Sequence, residues 1–428
     1  MPARRALAAT GSAVALAFAL SACGSGSGGG VAPPAIGTTG PTSSTPLRAV
    51  KLTASQVSAL GHDDDLFAGD LVRAMAKGDP GNLVVSPASI AIALQMLTDG
   101  AAGSTRSQLD HALHIDGLSS RQLTAAAAAL FGELASLGKD LSVSDDVWVQ
   151  HGRPVSPEFA ADMRQGFAAG LHAVDFDDPS AAAGTINAAI AADTHGHITD
   201  LLTPQQLDGA LAVLTDAVYL HANWAQPFEQ AQTRPMPFTT SSGSTTPVPT
   251  MNRTATWDYA DRDGVQSVTL PYQDGRLAMT VLLPATGSSP AALEARAAQQ
   301  GWDSLTAGEA PTSVALALPR FQMRTTTDLT SVLRSLGITD AFGPGADLSG
   351  ICSQCSVSAV EHQAWIKTDE KGTTAAAATG VVVGSLAIRA GDTAVPMVVD
   401  RPFLVVIRDT RTGLPLFVAQ VADPSQTP

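Results

Sequence analysis

The run Val213-Leu214-Thr215-Asp216-Ala217-Val218-Tyr219-Leu220 constrains the fold more than any other stretch of the chain. Its residues favour extended structure, and apolar side chains occupy neighbouring positions instead of alternating with polar ones. A strand of this kind is buried on both faces, so it belongs inside a sheet that is covered above and below. Further strand candidates are Val265 to Leu270, Leu277 to Leu283, Val314 to Leu318, Phe403 to Arg408 and Leu416 to Val421. Helical texture lies earlier. Leu66, Leu71, Val72 and Met75 recur near helical spacing until Asp79-Pro80-Gly81-Asn82 breaks the run. Ser86-Pro87-Ala88-Ser89 reads as a cap with Pro in the first turn, leading into Ile90 to Leu97, and Ser104 begins another capped helix toward Leu113. Helices gathered early and strands late indicate an α+β protein, not alternating βαβ units.

The chain has 428 residues, 45% of them hydrophobic, which is ample for a large core. Its formal charge of -14 argues against a nucleic-acid partner, because neutralising phosphates needs clustered Lys and Arg. The first residues stand apart. Arg4 and Arg5 precede an apolar run, Ala6 to Leu20, that is too short to span a bilayer comfortably. It ends in Leu20-Ser21-Ala22-Cys23, which resembles a bacterial lipoprotein signal whose Cys is lipidated; an ordinary secretory signal with an incidental Cys is the other reading. The expected organisation is a signal over 1–23 ending at Cys23, a Gly/Ser/Thr/Pro linker over 24–50, and one folded domain over 51–428. The expected location is outside the cell or on the outer face of its membrane, with membrane contact through the lipid anchor only.

Cys352 and Cys355 are the remaining cysteines. In an exported protein such a pair usually forms a disulfide, although Cys-Ser-Gln-Cys also matches half a zinc site or a redox motif. His195-Gly196-His197 and His111-Ala112-Leu113-His114 have metal-like spacings but lack the further ligands that would complete a site. No Gly-x-Ser-x-Gly elbow, His-Glu-x-x-His motif or phosphate loop is present. The expectation is therefore no metal, no cofactor and no catalytic constellation.

The segment Glu370-Lys371-Gly372-Thr373-Thr374-Ala375-Ala376-Ala377-Ala378-Thr379-Gly380 sends conflicting local signals. Four consecutive Ala favour a helix, whereas the bracketing Gly residues, the interrupting Thr residues and Val381-Val382-Val383 do not. Such conflict suits a segment with two alternative conformations.

Several ordered motifs carry a family resemblance. Asn82 to Ile90 resembles the serpin segment that opens the second helix, and Asp216 to Phe228 the central strand with its following turn. Leu270-Pro271-Tyr272 and Leu282-Leu283-Pro284 fit a later strand pair, Leu318 to Phe342 the helix and loop that follow, and Asp400 to Val421 the closing hairpin. The resemblance covers nearly all of the chain after the linker. It implies helices, a large mixed main sheet, smaller sheets and an exposed reactive-centre loop. It also implies a monomeric suicide inhibitor whose partner is a serine protease. The hinge would be Glu370, Gly372, Thr373, Thr374, Ala375, Ala376, Ala377, Ala378 and Thr379, inserting as a new strand after cleavage. One alternating set, Thr373, Ala375, Ala377, Thr379, Val381 and Val383, is small or apolar and free of charge, as a core-facing set must be.

In the family the scissile bond lies about seventeen residues from the hinge Glu, counted inclusively, which gives Leu386 before the bond and Ala387 after it. Leu386 implies a chymotrypsin-like or subtilisin-like target; cleavage at Arg389 would imply a trypsin-like one. Ser86, Ser89, Asp216 and His362 match a hydrogen-bonded cluster beneath the opening sheet. Asp216 replaces the usual Asn there, so pairing with His362 would make opening pH-sensitive, or would simply form a satisfied core pair. A non-inhibitory member, acting as a surface carrier, is the alternative function.

Overall fold

The computed structural model describes residues 54–78, 81–115, 117–135, 141–167, 169–373 and 394–427. The expected signal, linker and Cys23 lie outside these residues, as do Thr374 to Thr379, Leu386, Ala387 and Arg389.

From the N-terminal side the elements are α1 (Ala54–Ala76), β1 (Leu83–Val85), α2 (Pro87–Asp99), α3 (Gly103–Ala112) and α4 (Ser120–Ala135). Next come β2 (Leu141–Gln150), α5 (Pro157–Asp162), β3 (Gly170–Val174), α6 (Pro179–Asp193), β4 (Ala212–Leu220) and β5 (Ala222–Asn223). A strand-rich stretch follows: β6 (Arg234–Thr239), β7 (Thr245–Arg262), β8 (Val265–Pro271) and β9 (Leu277–Pro284). The chain continues through α7 (Pro290–Gln300), β10 (Ala310–Pro319), β11 (Phe321–Asp328), α8 (Thr330–Ser335) and β12 (Ala359–Asp369). It closes with β13 (Gly372–Thr373), β14 (Val395–Val398), β15 (Phe403–Asp409) and β16 (Pro415–Val421).

Two mixed sheets result. The main sheet runs β3-β2-β4-β12-β13-β5, with β11 on the far edge of β12. The second runs β1-β16-β15-β9-β8-β7-β10-β14, with β6 on β7. As its sequence required, β4 is buried at every position. Its Leu214, Val218 and Leu220 join the large core shared with α2, while Val213 and Ala217 face a smaller core built under α6 and the segment up to Leu207. Helix α2 is buried along nearly its whole length, the pattern of a helix enclosed on all sides.

Three expectations need correction. Strands are not confined to the later part, because β2 and β3 lie among the early helices and belong to the main sheet. Ser-Val-Ser-Asp-Asp reads as polar, yet β2 pairs with β4 from Leu141↔Leu220 to Val149↔Ala212, so tertiary pairing overrides its local preference. Helix α3 starts at Gly103 with no side-chain cap, and the Ser104 hydroxyl instead bonds Asp340 at 2.6 Å. The stretch after Pro319 is first a strand, β11, before the short α8.

Helix α1 lies directly against α7. A Cβ on Gly69 would sit 2.6 Å from the Ala297 carbonyl, closer than real contacts allow. On α6, by contrast, a Cβ on Gly184 meets nothing within 4 Å. Gly69→Ala should therefore lower the melting temperature by about 4 °C or more, whereas Gly184→Ala should leave it unchanged or raise it slightly. Calorimetry of the two variants checks this, and equal shifts would contradict the close packing.

Candidate functional site

The seam between β4 and β12 organises the site. These strands pair in parallel from Val213↔Ala359 to Tyr219↔Trp365. Beyond that point they are separated by a short wedge. β12 continues to Asp369, reverses through Glu370 and Lys371, and returns as β13, with Thr373 opposite Thr368. The other edge of β13 pairs with β5, Thr373 opposite Ala222. Two residues of an additional strand are thus already seated between the halves of the sheet.

Local chemistry holds this reversal. Gly372 has a φ of 158°, and a Cβ there would stand 2.0 Å from the Ala222 carbonyl oxygen, so a side chain cannot be accommodated. The amide of Trp224 donates to the Lys371 carbonyl at 2.8 Å, and that of Phe228 to the Glu370 carbonyl at 2.9 Å. The Trp224 indole N–H donates to the Asp369 carbonyl at 2.9 Å. The Glu370 carboxylate accepts from Arg320 Nε at 2.8 Å, from Arg320 Nη2 and from the Thr233 hydroxyl. Burial pushes the Glu370 carboxyl up, but these bonds outweigh it and hold it below its ordinary range. Thr373 is fully buried, and its hydroxyl meets that of Tyr272.

A second polar cluster lies midway along the seam, on its inner face. The Ser89 hydroxyl donates to Asp216 Oδ1, and His362 Nδ1 stands 3.3 Å from Asp216 Oδ2. The Ser86 amide donates to His362 Nε2 at 3.3 Å. As the acceptor of that bond Nε2 carries no hydrogen, so the ring hydrogen sits on Nδ1, on the side of Asp216. All four expected residues are brought together, although Ser86 contributes its backbone amide and its hydroxyl caps nothing. The sequence reading missed a fifth, Asp145, which pairs in register with Asp216 from β2. It is buried, neither of its oxygens has a partner, and burial followed by the charges of Asp216 and Asp146 pushes its carboxyl well up. The adjacent Asp145-Asp146 pair was the available signal, because strand alternation forces one of two successive acids inward.

On the outer face, Glu361 is buried, and Gln363 donates to Thr326 at 2.5 Å. The His197 ring stacks on Tyr219 at 4.0 Å and reaches Trp365 at 5.7 Å, lying over both strands of the seam. The His197 ring is thus engaged in stacking, and no cluster able to hold a metal occurs among the described residues. His114 bonds Asp70 at 3.0 Å. Cys352 and Cys355 form a buried disulfide with Cα atoms 5.7 Å apart, in the loop leading into β12. Arg320, Thr233 and Tyr272, which contact Glu370 or Thr373, were not singled out from sequence because their partners lie 50 or more positions away.

Comparison with known proteins bears on this arrangement. Residues 63–424 match the family described as Serpin (serine protease inhibitor). Neuroserpin of Homo sapiens is 29% identical over 373 residues, spanning 84% of this chain and 90% of that protein. Iripin-2 of Ixodes ricinus is 32% identical over 379 residues, spanning 86% and 94%. The crystal structure of Serpin48 from the insect Tenebrio molitor superposes with a TM-score of 0.77 at 26% identity, covering 87% of this chain and 100% of that one.

Burial, reinforced by the charge of Asp328 and opposed by a bond from Gln206, pushes the Glu361 carboxyl up to about 7. A folded-state value above the ordinary one contributes stability at low pH that is lost as pH rises through it. Glu361→Gln should therefore raise the melting temperature of the intact protein by about 2 °C or more at pH 8 and by much less at pH 5. Calorimetry at both pH values tests this, and an equal effect at the two would refute it.

Proposed function

This chain belongs to the serpin family, whose members are protease inhibitors and not enzymes, and on that premise we propose that it traps a serine protease as a suicide substrate. The observation that carries the reading is the existing pairing of Gly372 and Thr373 with β12 and β5. Extending that antiparallel register would set Ala375, Ala377, Thr379 and Val381 opposite Ile366, Ala364, His362 and Val360, all of them buried. The same extension from Ala222 carries Thr379 opposite Asp216. Its hydroxyl would enter the polar cluster between Asp216 and His362, and the uncharged alternating set would face the core.

The chemistry follows from that geometry. The protease serine oxygen adds to the Leu386 carbonyl, the ester forms, and the Leu386–Ala387 peptide bond breaks to release a new amino terminus on Ala387. The freed segment then inserts. About fourteen residues at ~3.3 Å each carry the tethered protease roughly 45 Å. Each new ladder bond contributes about 1 kcal/mol net, so insertion releases on the order of 10 kcal/mol. The protease is distorted before water can hydrolyse the ester. A Leu before the bond suits an apolar primary pocket, as in chymotrypsin-like and subtilisin-like proteases.

The exported, lipid-anchored location belongs to the same proposal and is supported by the sequence around Cys23. Acyl chains there would tether the inhibitor to the outer face of the cell membrane, and the linker over 24–50 would hold it clear.

Incubation with chymotrypsin, subtilisin, elastase and trypsin, followed by denaturing electrophoresis, should show a covalent complex with one of the first two and a new N-terminus at Ala387. A new N-terminus after Arg389 would reassign the bond, and turnover without complex would favour a non-inhibitory carrier. The alternation yields a second test. Ala377→Glu should convert the inhibitor into a substrate, because a carboxylate would have to enter the core, whereas Ala376→Glu on the other face should retain inhibition. Equal behaviour of the two variants would contradict the register.

A further inference from the structure

Among the hydrogen bonds of the described residues, Tyr272 is the one side chain whose polar tip meets the Thr373 hydroxyl. It follows the last residue of β8, and its amide donates to the Leu277 carbonyl at 2.9 Å. Its ring is enclosed, stacked on Trp224 at 4.6 Å with an interplanar angle of 7°. Trp224 in turn forms an antiparallel bridge with Tyr272 and donates to both sides of the reversal, at the Asp369 and Lys371 carbonyls. The Tyr272 hydroxyl is thus aimed by a rigid aromatic pair, and it stands 2.5 Å from Thr373 Oγ1. Thr373 is fully inside.

We propose that Tyr272 is a positioning residue that keeps the start of the hinge seated as β13 before cleavage, so that insertion proceeds from a strand already begun. The inference rests on the loop-insertion reading and deepens it. Two buried hydroxyls satisfy each other here. Withdrawing Thr373 from the sheet would leave the Tyr272 hydroxyl without that partner in an apolar setting, which opposes withdrawal. Burial also pushes the Tyr272 hydroxyl far above its ordinary titration range, so it remains a neutral donor and acceptor. Growth from a preformed two-residue strand avoids the slow step of bringing distant segments together. Inhibition is a race between insertion and hydrolysis of the acyl-enzyme, so a seated start shifts the outcome toward the trapped complex. The first attack on the loop does not depend on this bond.

The test separates the two steps by measuring the stoichiometry of inhibition and the second-order rate of loop cleavage with the same protease. Tyr272→Phe removes the hydroxyl and keeps the stacked ring. It should raise the stoichiometry by about threefold or more while changing the cleavage rate by less than about twofold. Thr373→Val, which breaks the bond from the other side, should do the same, and Thr373→Ser should restore inhibition relative to it. The double variant Tyr272→Phe with Thr373→Val should be no worse than either single one, as expected for two halves of one interaction. A lowered melting temperature with unchanged stoichiometry in Tyr272→Phe and Thr373→Val would reduce the bond to a purely structural one and overturn the inference. Failure of the unmodified protein to form a covalent complex with any protease would instead overturn the inhibitory reading, and this one with it.

Discussion

Everything in the molecule turns on the lateral pairing of β4 with β12. These two strands are neighbours by parallel ladder bonds over seven residue pairs, yet the fold provides them with a wedge, β13, at one end. Parallel neighbours far apart in sequence are held mainly by what covers them, because no tight turn joins them. Here the cover differs on the two faces. The inner face rests on α2 and the large core, and the outer face on α6 and the His197 segment. A seam of this kind can be stable while closed and still have a longer strand to accept.

The groups placed along the seam are polar where the sheet would have to part. Near the wedge, Glu370 is bound by Arg320 and Thr233, and Thr373 by Tyr272. Midway, Ser89, Asp216 and His362 link α2, β4 and β12. Hydrogen bonds are directional, so a cluster of this kind favours one strand arrangement over slipped ones, as apolar contacts of similar size do not. They can also be exchanged for other hydrogen bonds when a hydroxyl arrives. A chain that had to open an apolar seam would expose its core while doing so. The buried carboxyls of Asp145 and Glu361 add a cost to the closed arrangement that rises with pH.

Much of this was legible in the chain. The apolar run through Leu220 required a doubly covered strand, and β4 is one. The Pro after Ser86 announced the start of α2. Those features are local, and local periodicity survives whatever the rest of the chain does. The strand character of β2, the use of Ser104 on Asp340 instead of as a cap, and the partners of Glu370 were not legible. In each case the deciding neighbour comes from a distant part of the chain.

By itself, then, the sequence determined an α+β chain with a central buried strand, a resemblance to serpins carried by ordered motifs, and an Ala-rich stretch from Gly372 to Gly380 free of charge. Only the tertiary structure decided that β13 is seated between β12 and β5, that Asp145 faces Asp216, and that Cys352 and Cys355 are joined. The physical reason is that pattern along a chain records which side chains tolerate burial. Which buried groups meet is set by strand register across the sheet, and register depends on pairings that no local stretch encodes.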